Sequence, residues 1–135
     1  MVKEIPTDKL IVRPSIKLAF MGGEIWFEQL DSLSIHTELA MDKFLSDLKQ
    51  IRKISSPSRI AVNVNETLVT DEFADILVNE LCSSDKFITK LVFVGTDFET
   101  KRKIKKRFNK KYCSFPVGFI NDYEKAKIWL MTEGC

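Results

Sequence analysis

The residues able to do chemistry in this chain are few and scattered. His36 is the single histidine, with no cysteine or carboxylate at ligand spacing, so it predicts no metal site. A nucleophilic Cys82 or Cys113 would need a basic partner, and His36 is remote in sequence from both. Cys82 instead extends an apolar helical stripe and reads as inert packing. Gly22, Gly23, Gly95, Gly118 and Gly134 are too dispersed to form a phosphate-cradling loop, and no cofactor motif is present. Asn63 and Asn65 stand at the end of an early strand, where receiver-type phosphotransfer would need acidic groups. The expectation is that the protein is not an enzyme, and that it binds no cofactor or metal.

Charge is the stronger signal. Of 21 basic residues, eight fall between positions 101 and 111 without one acid, leaving 13 basic against 19 acidic residues elsewhere. On a helix, Lys101, Arg102 and Lys105 share one side, while Lys103, Lys106, Arg107 and Lys110 spread over the rest. Phe98, Ile104 and Phe108 remain for packing. Such a face is either a solvated helix balanced by acidic neighbours, or a docking surface for an acidic protein, anionic lipid or RNA phosphate. Lys101, Arg102, Lys105 and Lys106 are its candidate residues.

A second candidate surface runs from Asn65 to Phe73. Thr70 reads as a helix cap with Asp71 and Glu72 in the first turn, and a helix start offers free amides and a positive dipole to a carboxylate or phosphate. Asn65, Thr67, Thr70 and Asp71 are the candidate partner-binding residues. Thr67 and Thr70 are the hydroxyls there that a kinase could modify.

The elements that must position these groups follow from periodicity. Leu91 to Val94 is an unbroken apolar run and reads as a central parallel strand. Gly95 permits a sharp turn, and Thr96-Asp97-Phe98-Glu99 has the form of a capping box led by Thr96. Arg59 to Val64 and Pro116 to Ile120 are the other core strands. Asn121-Asp122-Tyr123-Glu124 repeats the capping pattern with Asn121 as cap. Ser15 to Phe20 and Glu24 to Leu30 form a hairpin about Met21-Gly22-Gly23, the glycines supplying positive φ. Met41, Phe44, Leu45, Leu48 and Ile51 mark one helix stripe, and Phe73, Ala74, Leu77, Val78 and Leu81 another. A final helix sends Ala126, Trp129 and Leu130 to the core. Trp26 reads as packing, and Asn63 must face a crevice or find partners within the fold.

The predicted fold is α/β: a mixed sheet with an N-terminal hairpin and alternating β-α units, its helices split between the two faces by right-handed crossovers. Residues 1–14 form an arm or a short edge strand around Leu10 to Val12, 15–131 a single domain, and 132–135 a fraying tail. Three widely spaced cysteines suit a reducing cytosol. No apolar segment is long enough for a signal peptide or membrane span, so a cytoplasmic protein is expected.

The stretch from Ile88 to Gly95 with its capped basic helix, then Phe115-Pro116-Val117-Gly118-Phe119-Ile120 and Asn121 to Leu130, resembles the end of STAS/SpoIIAA-like domains. These commonly close with an aromatic residue, an acidic cap, Glu-x-Ala and a Trp-Leu pair. The resemblance covers residues 15 to 131 in element order and lies mainly in 88 to 130 at residue level. It implies a non-catalytic regulatory or scaffolding domain acting by protein–protein interaction. In anti-sigma factor antagonists of this superfamily, a serine after the second core strand is phosphorylated to switch partner binding. Here Thr70 falls near the family's aspartate and Asp71 near that serine, with no glycine following. An acid at Asp71 either mimics a permanently charged state or marks a lost site. The implied partner is a regulatory protein, with a second copy of the chain as a further candidate. Lipid-binding relatives with a similar core add a small apolar ligand to the alternatives.

Overall fold

The computed structural model describes Val2 and residues 4–132. The expectations for the extreme tail, Glu133 to Cys135, fall outside the described residues. The chain alternates as expected: β1 (Ile16–Phe20), β2 (Gly23–Gln29), α1 (Thr37–Ile51), β3 (Ser58–Asn63), α2 (Asp71–Ser83), β4 (Ile88–Val94), α3 (Phe98–Asn109), β5 (Val117–Phe119) and α4 (Tyr123–Met131). The five strands lie side by side in chain order. β1 pairs antiparallel with β2, and β2 through β5 are parallel. The expected mixed sheet is present.

The helices do not divide evenly between the faces. Trp26, Ile60, Val62, Leu91 and Phe93 face a core completed by the stripes of α1 and α2 and by Ile104 of α3. Ile25, Phe27, Ala61, Val92 and Val94 face the other way, onto Ala126 and Leu130 of α4. A parallel sheet that grows in one direction, with crossovers of one hand, stacks every crossover helix on one side. Only α4, which follows the last strand, is free to return over the other. The split is therefore three to one.

Several local expectations shift. The positive φ of the hairpin turn is carried by Met21 and Gly22, and Gly23 is the first residue of β2 instead. Leu10 to Val12 form no strand. The arm is held further back, where the Ile5 amide donates to Ser34 Oγ (2.9 Å) and the Ile5 carbonyl meets His36 Nε2 (2.7 Å). Both capping boxes are displaced by one residue: Asp97, not Thr96, accepts from the Thr100 amide, and Asp122, not Asn121, accepts from Lys125. Carboxylates win the cap position because a charged acceptor binds helix-start amides more strongly than a neutral one.

The cysteine reading is also corrected. Cys82 and Cys113 form a disulfide, so Cys82 is not a free packing thiol, and the cysteines lend no support to a reducing compartment. The last turn of α2 and the loop after α3 are distant in sequence but meet once the two helices pack together. Among the described residues, no helix is long and apolar enough to cross a membrane.

Candidate functional site

The segment after β3 is less open than its composition suggests. The chain after β2 runs beside it: Leu30, Ser32 and Ser34 amides donate to the carbonyls of Asn63, Asn65 and Glu66 at 2.9, 2.7 and 2.9 Å. Thr67 is buried in this seam, its Oγ1 donating to the Leu30 carbonyl (2.6 Å) and accepting from the Leu33 amide (3.0 Å). As folded, that hydroxyl is withheld from a kinase or partner. Thr70 caps α2 through the Phe73 amide at 3.1 Å. Asn65 and Asp71 are exposed.

Asp71 connects this segment to the basic helix. Its Oδ1 lies 3.7 Å from Lys103 Nζ and 3.6 Å from Arg107 Nη2, and Arg107 Nε also reaches Asp75 at 2.6 Å. Lys103 further donates to the Val69 carbonyl. The start of α2 and the outward side of α3, separate in sequence, form one surface. A groove of about 350 Å³ opens between the helices, bordered by Asp75, Asn79, Lys106, Arg107, Lys110 and Lys111.

Of the sequence candidates on α3, Lys101, Arg102, Lys105 and Lys106 are all exposed. Lys101 sits 5.9 Å above the Phe119 ring, and Arg102 is loosely paired with Glu99 at 3.9 Å. Lys105, Lys106, Lys110 and Lys111 make no ion pair among the described residues. The face is thus half neutralised near α2 and positive beyond it. Ile104 is buried and Phe108 packs on the core, but Phe98 is 76% exposed. The one-residue shift of the cap turns Phe98 to the outside.

Two arrangements were not legible as sites. The first is a crevice of about 400 Å³ at the carboxyl ends of β3, β4 and β5, among whose walls are Asn63, Asn65, Val94, Asp97, Asn121 and Tyr123. The chain leaves β4 toward α3 on one face and leaves β5 toward α4 on the other. Adjacent connections to opposite faces open such a gap. Asn63 therefore does both things open to it: it faces the crevice, and it is bonded to Gln29 and to the Asn65 amide. Burial pushes the Tyr123 phenol up, so it stays protonated.

The second is a carboxyl pair, Glu28 buried and Asp47 half-buried. Glu28 is 1% exposed and accepts from Trp26 Nε1 at 2.8 Å. Burial first, and then Asp47 beside it, push its pKa to about 9. Its Oε2 has no donor to accept from, which a protonated carboxyl resolves by donating to Asp47. Burial also pushes Asp47 up, but hydrogen bonds from Glu28, Lys43 and Ser15 outweigh it and hold its carboxyl below the usual range. Lys43 and Ser15 each approach Asp47 Oδ2 at 2.8 Å. Alternation places Glu28 on the same face as Trp26, and that was the available signal.

Comparison of the chain with family models, curated proteins and solved structures gives no match. Fold and geometry therefore define its class: an α/β domain with a five-stranded mixed sheet, α1 to α3 on one face and α4 on the other.

Proposed function

We propose that the protein is a non-catalytic regulatory or scaffolding domain, STAS/SpoIIAA-like in kind, that docks an acidic segment of a partner protein along the α2–α3 groove. The observation that carries this reading is the Asp71 contact with Lys103 and Arg107, which merges the two candidate surfaces into one. Beside it, Lys106, Lys110 and Lys111 line the groove without an ion pair among the described residues. A negatively charged strand or helix would complete the charge left over there, and opposed potentials chiefly raise the rate and specificity of docking.

The test compares the unmodified chain with Lys106→Glu/Lys110→Glu. Proteins captured by the former and missed by the latter are purified and rebound. Vesicles containing phosphatidylserine and single-stranded RNA serve as rival arms. The expected result is a direct complex weakened at least about tenfold by the charge reversal, with little binding to vesicles or RNA at physiological salt. Vesicle or RNA binding that falls steeply with salt and disappears in the variant would replace this reading with an anionic-surface one. A partner captured equally by both proteins would remove the groove from the account.

A further inference from the structure

The crevice above β3, β4 and β5 lies on the α4 side of the sheet, away from the α2–α3 groove, and the docking reading does not use it. Its polar groups are largely amides with hydrogen-bonding capacity left over. Asn63 gives one amide hydrogen to Gln29 Oε1 (3.4 Å) and accepts the Asn65 amide on Oδ1 (3.0 Å), leaving a second hydrogen. Asn121 uses Oδ1 on the Gly95 and Thr96 amides and one Nδ2 hydrogen on the Thr96 carbonyl, again leaving one. Tyr123 accepts from Gln29 at 3.5 Å, and its own hydroxyl hydrogen has no acceptor among the described residues. Asp97 accepts the Thr100 amide on Oδ1 and a further hydrogen bond from the Thr100 side chain, which still leaves carboxylate lone pairs open. The exposed Asn65 side chain holds no hydrogen bond among the described residues.

Two features point to the charge of the ligand. Among the described residues, no lysine, arginine or histidine lines the crevice. The helix starts that flank it, where an anion would otherwise settle, are already capped by Asp97 and Asp122. A phosphate or carboxylate would meet the Asp97 carboxylate, and Lys103, whose positive charge reaches Asp97, is not among the crevice walls. Hydroxyl groups suit these walls better, because each can donate to the Asp97 carboxylate or Asn65 Oδ1 and accept from the spare amide and phenol hydrogens. Val94 and the Tyr123 ring supply apolar area for the C–H face of a ring. About 400 Å³ falls within the ~300–1,000 Å³ usual for small-molecule sites. The two loops approach closely here, since a Cβ at Gly95 would lie 2.5 Å from Asn65 Cβ.

We infer that this crevice is a binding site for an uncharged, polyhydroxylated ring. That chemistry is shared by free monosaccharides and cyclitols. Amide NMR titration of the full chain with D-glucose, D-ribose and myo-inositol separates them, with D-glucose 6-phosphate as the charged counterpart. At least one neutral probe is expected to give saturable shifts at the Gly95 and Thr96 amides and the side-chain amides of Asn63, Asn65 and Asn121, with a Kd on the order of 1 mM. Asn65→Ala and Tyr123→Phe keep the packing Cβ and ring, so each should fold and weaken that probe about fivefold, the loss expected of one net hydrogen bond. Three outcomes overturn the proposal: no saturable shift with any neutral probe, tighter binding of the phosphorylated sugar than of its parent, or unchanged affinity in both variants.

Discussion

Asn121 clasps Thr96 and its neighbour with three hydrogen bonds: its Oδ1 accepts the Gly95 and Thr96 amides at 3.0 and 3.1 Å, and its Nδ2 donates to the Thr96 carbonyl at 3.0 Å. A side chain from the β5–α4 connection thereby stands in for a strand neighbour at the end of β4. Asn121→Ala leaves these backbone groups without a protein partner, a cost of about 1–3 kcal/mol. Urea unfolding should show that loss, and hydrogen exchange should quicken at the Gly95 and Thr96 amides before it does at Leu91 or Phe93.

Gly95→Ala tests the same loop from its backbone. Gly95 has φ +80°, and an added Cβ would meet Asn65 backbone and side-chain atoms at 2.5–2.7 Å. Left-handed backbone alone costs an L-residue roughly 1–2 kcal/mol, and the collision adds to it. The variant should therefore lose at least about 2 kcal/mol by chemical denaturation. A loss under half of that would mean that the loop yields easily.

Glu28 makes stability depend on pH. An acid raised from 4.5 to about 9 by folding keeps its proton in the folded chain while the unfolded chain has lost it. Stability is then highest below about 4.5 on this account, falls as pH rises toward 9, and levels off above that. Asp47 is shifted the other way, so its contribution is lost as pH falls through the acid range. Glu28→Gln retains a donor toward Asp47 and an acceptor for Trp26 without a titrating proton. Its melting temperature, compared with that of the unmodified chain, should gain steadily between pH 5 and 9. Parallel curves would contradict the protonated assignment.

The disulfide between Cys82 and Cys113 closes a loop with a sequence separation of 31. Restricting the unfolded chain by a loop of this size is worth about 2–4 kcal/mol. Reductant should lower the denaturation midpoint of the unmodified chain and leave a Cys82→Ser/Cys113→Ser variant unmoved. Equal midpoints for the oxidised and reduced unmodified chain would show that the bond adds nothing to stability.

Asp71→Lys separates docking from folding. Its carboxylate is 76% exposed where it meets Lys103 and Arg107, and exposed pairs of this kind contribute between 0 and about 1 kcal/mol. Thermal unfolding should move little. Capture of an acidic partner should strengthen, because the variant replaces a negative charge with a positive one at one end of the groove, while Arg107 keeps Asp75 and Lys103 keeps the Val69 carbonyl.

Element order, element type and most core residues followed from the sequence, because they depend on local periodicity. Leu45, however, is exposed, and the strand expected over Pro116 to Ile120 forms as the half-buried edge strand β5 instead of a core strand. The apolar run of Leu91 to Val94 needs cover on both faces wherever it lies, and the stripe of Phe73, Ala74, Leu77, Val78 and Leu81 is buried as read. Cap positions failed by one residue, since Thr96 and Asp97 both suit a cap and the choice rests on which backbone amide each can reach in space. The exposure of Phe98 follows from the same slip.

The tertiary structure alone decided what lies together. Strand order is invisible to periodicity, and it sets three helices on one face, opens the crevice beside Asn63 and Asn121, and carries Cys82 to Cys113. The sequence marked the basic run and the start of α2 as separate features; helix packing joined them through Asp71, Lys103 and Arg107. Glu28 reads locally as a polar residue in a strand. Its burial is settled by α1 crossing the sheet, which brings Asp47 and Lys43 over it, and desolvation then determines its charge.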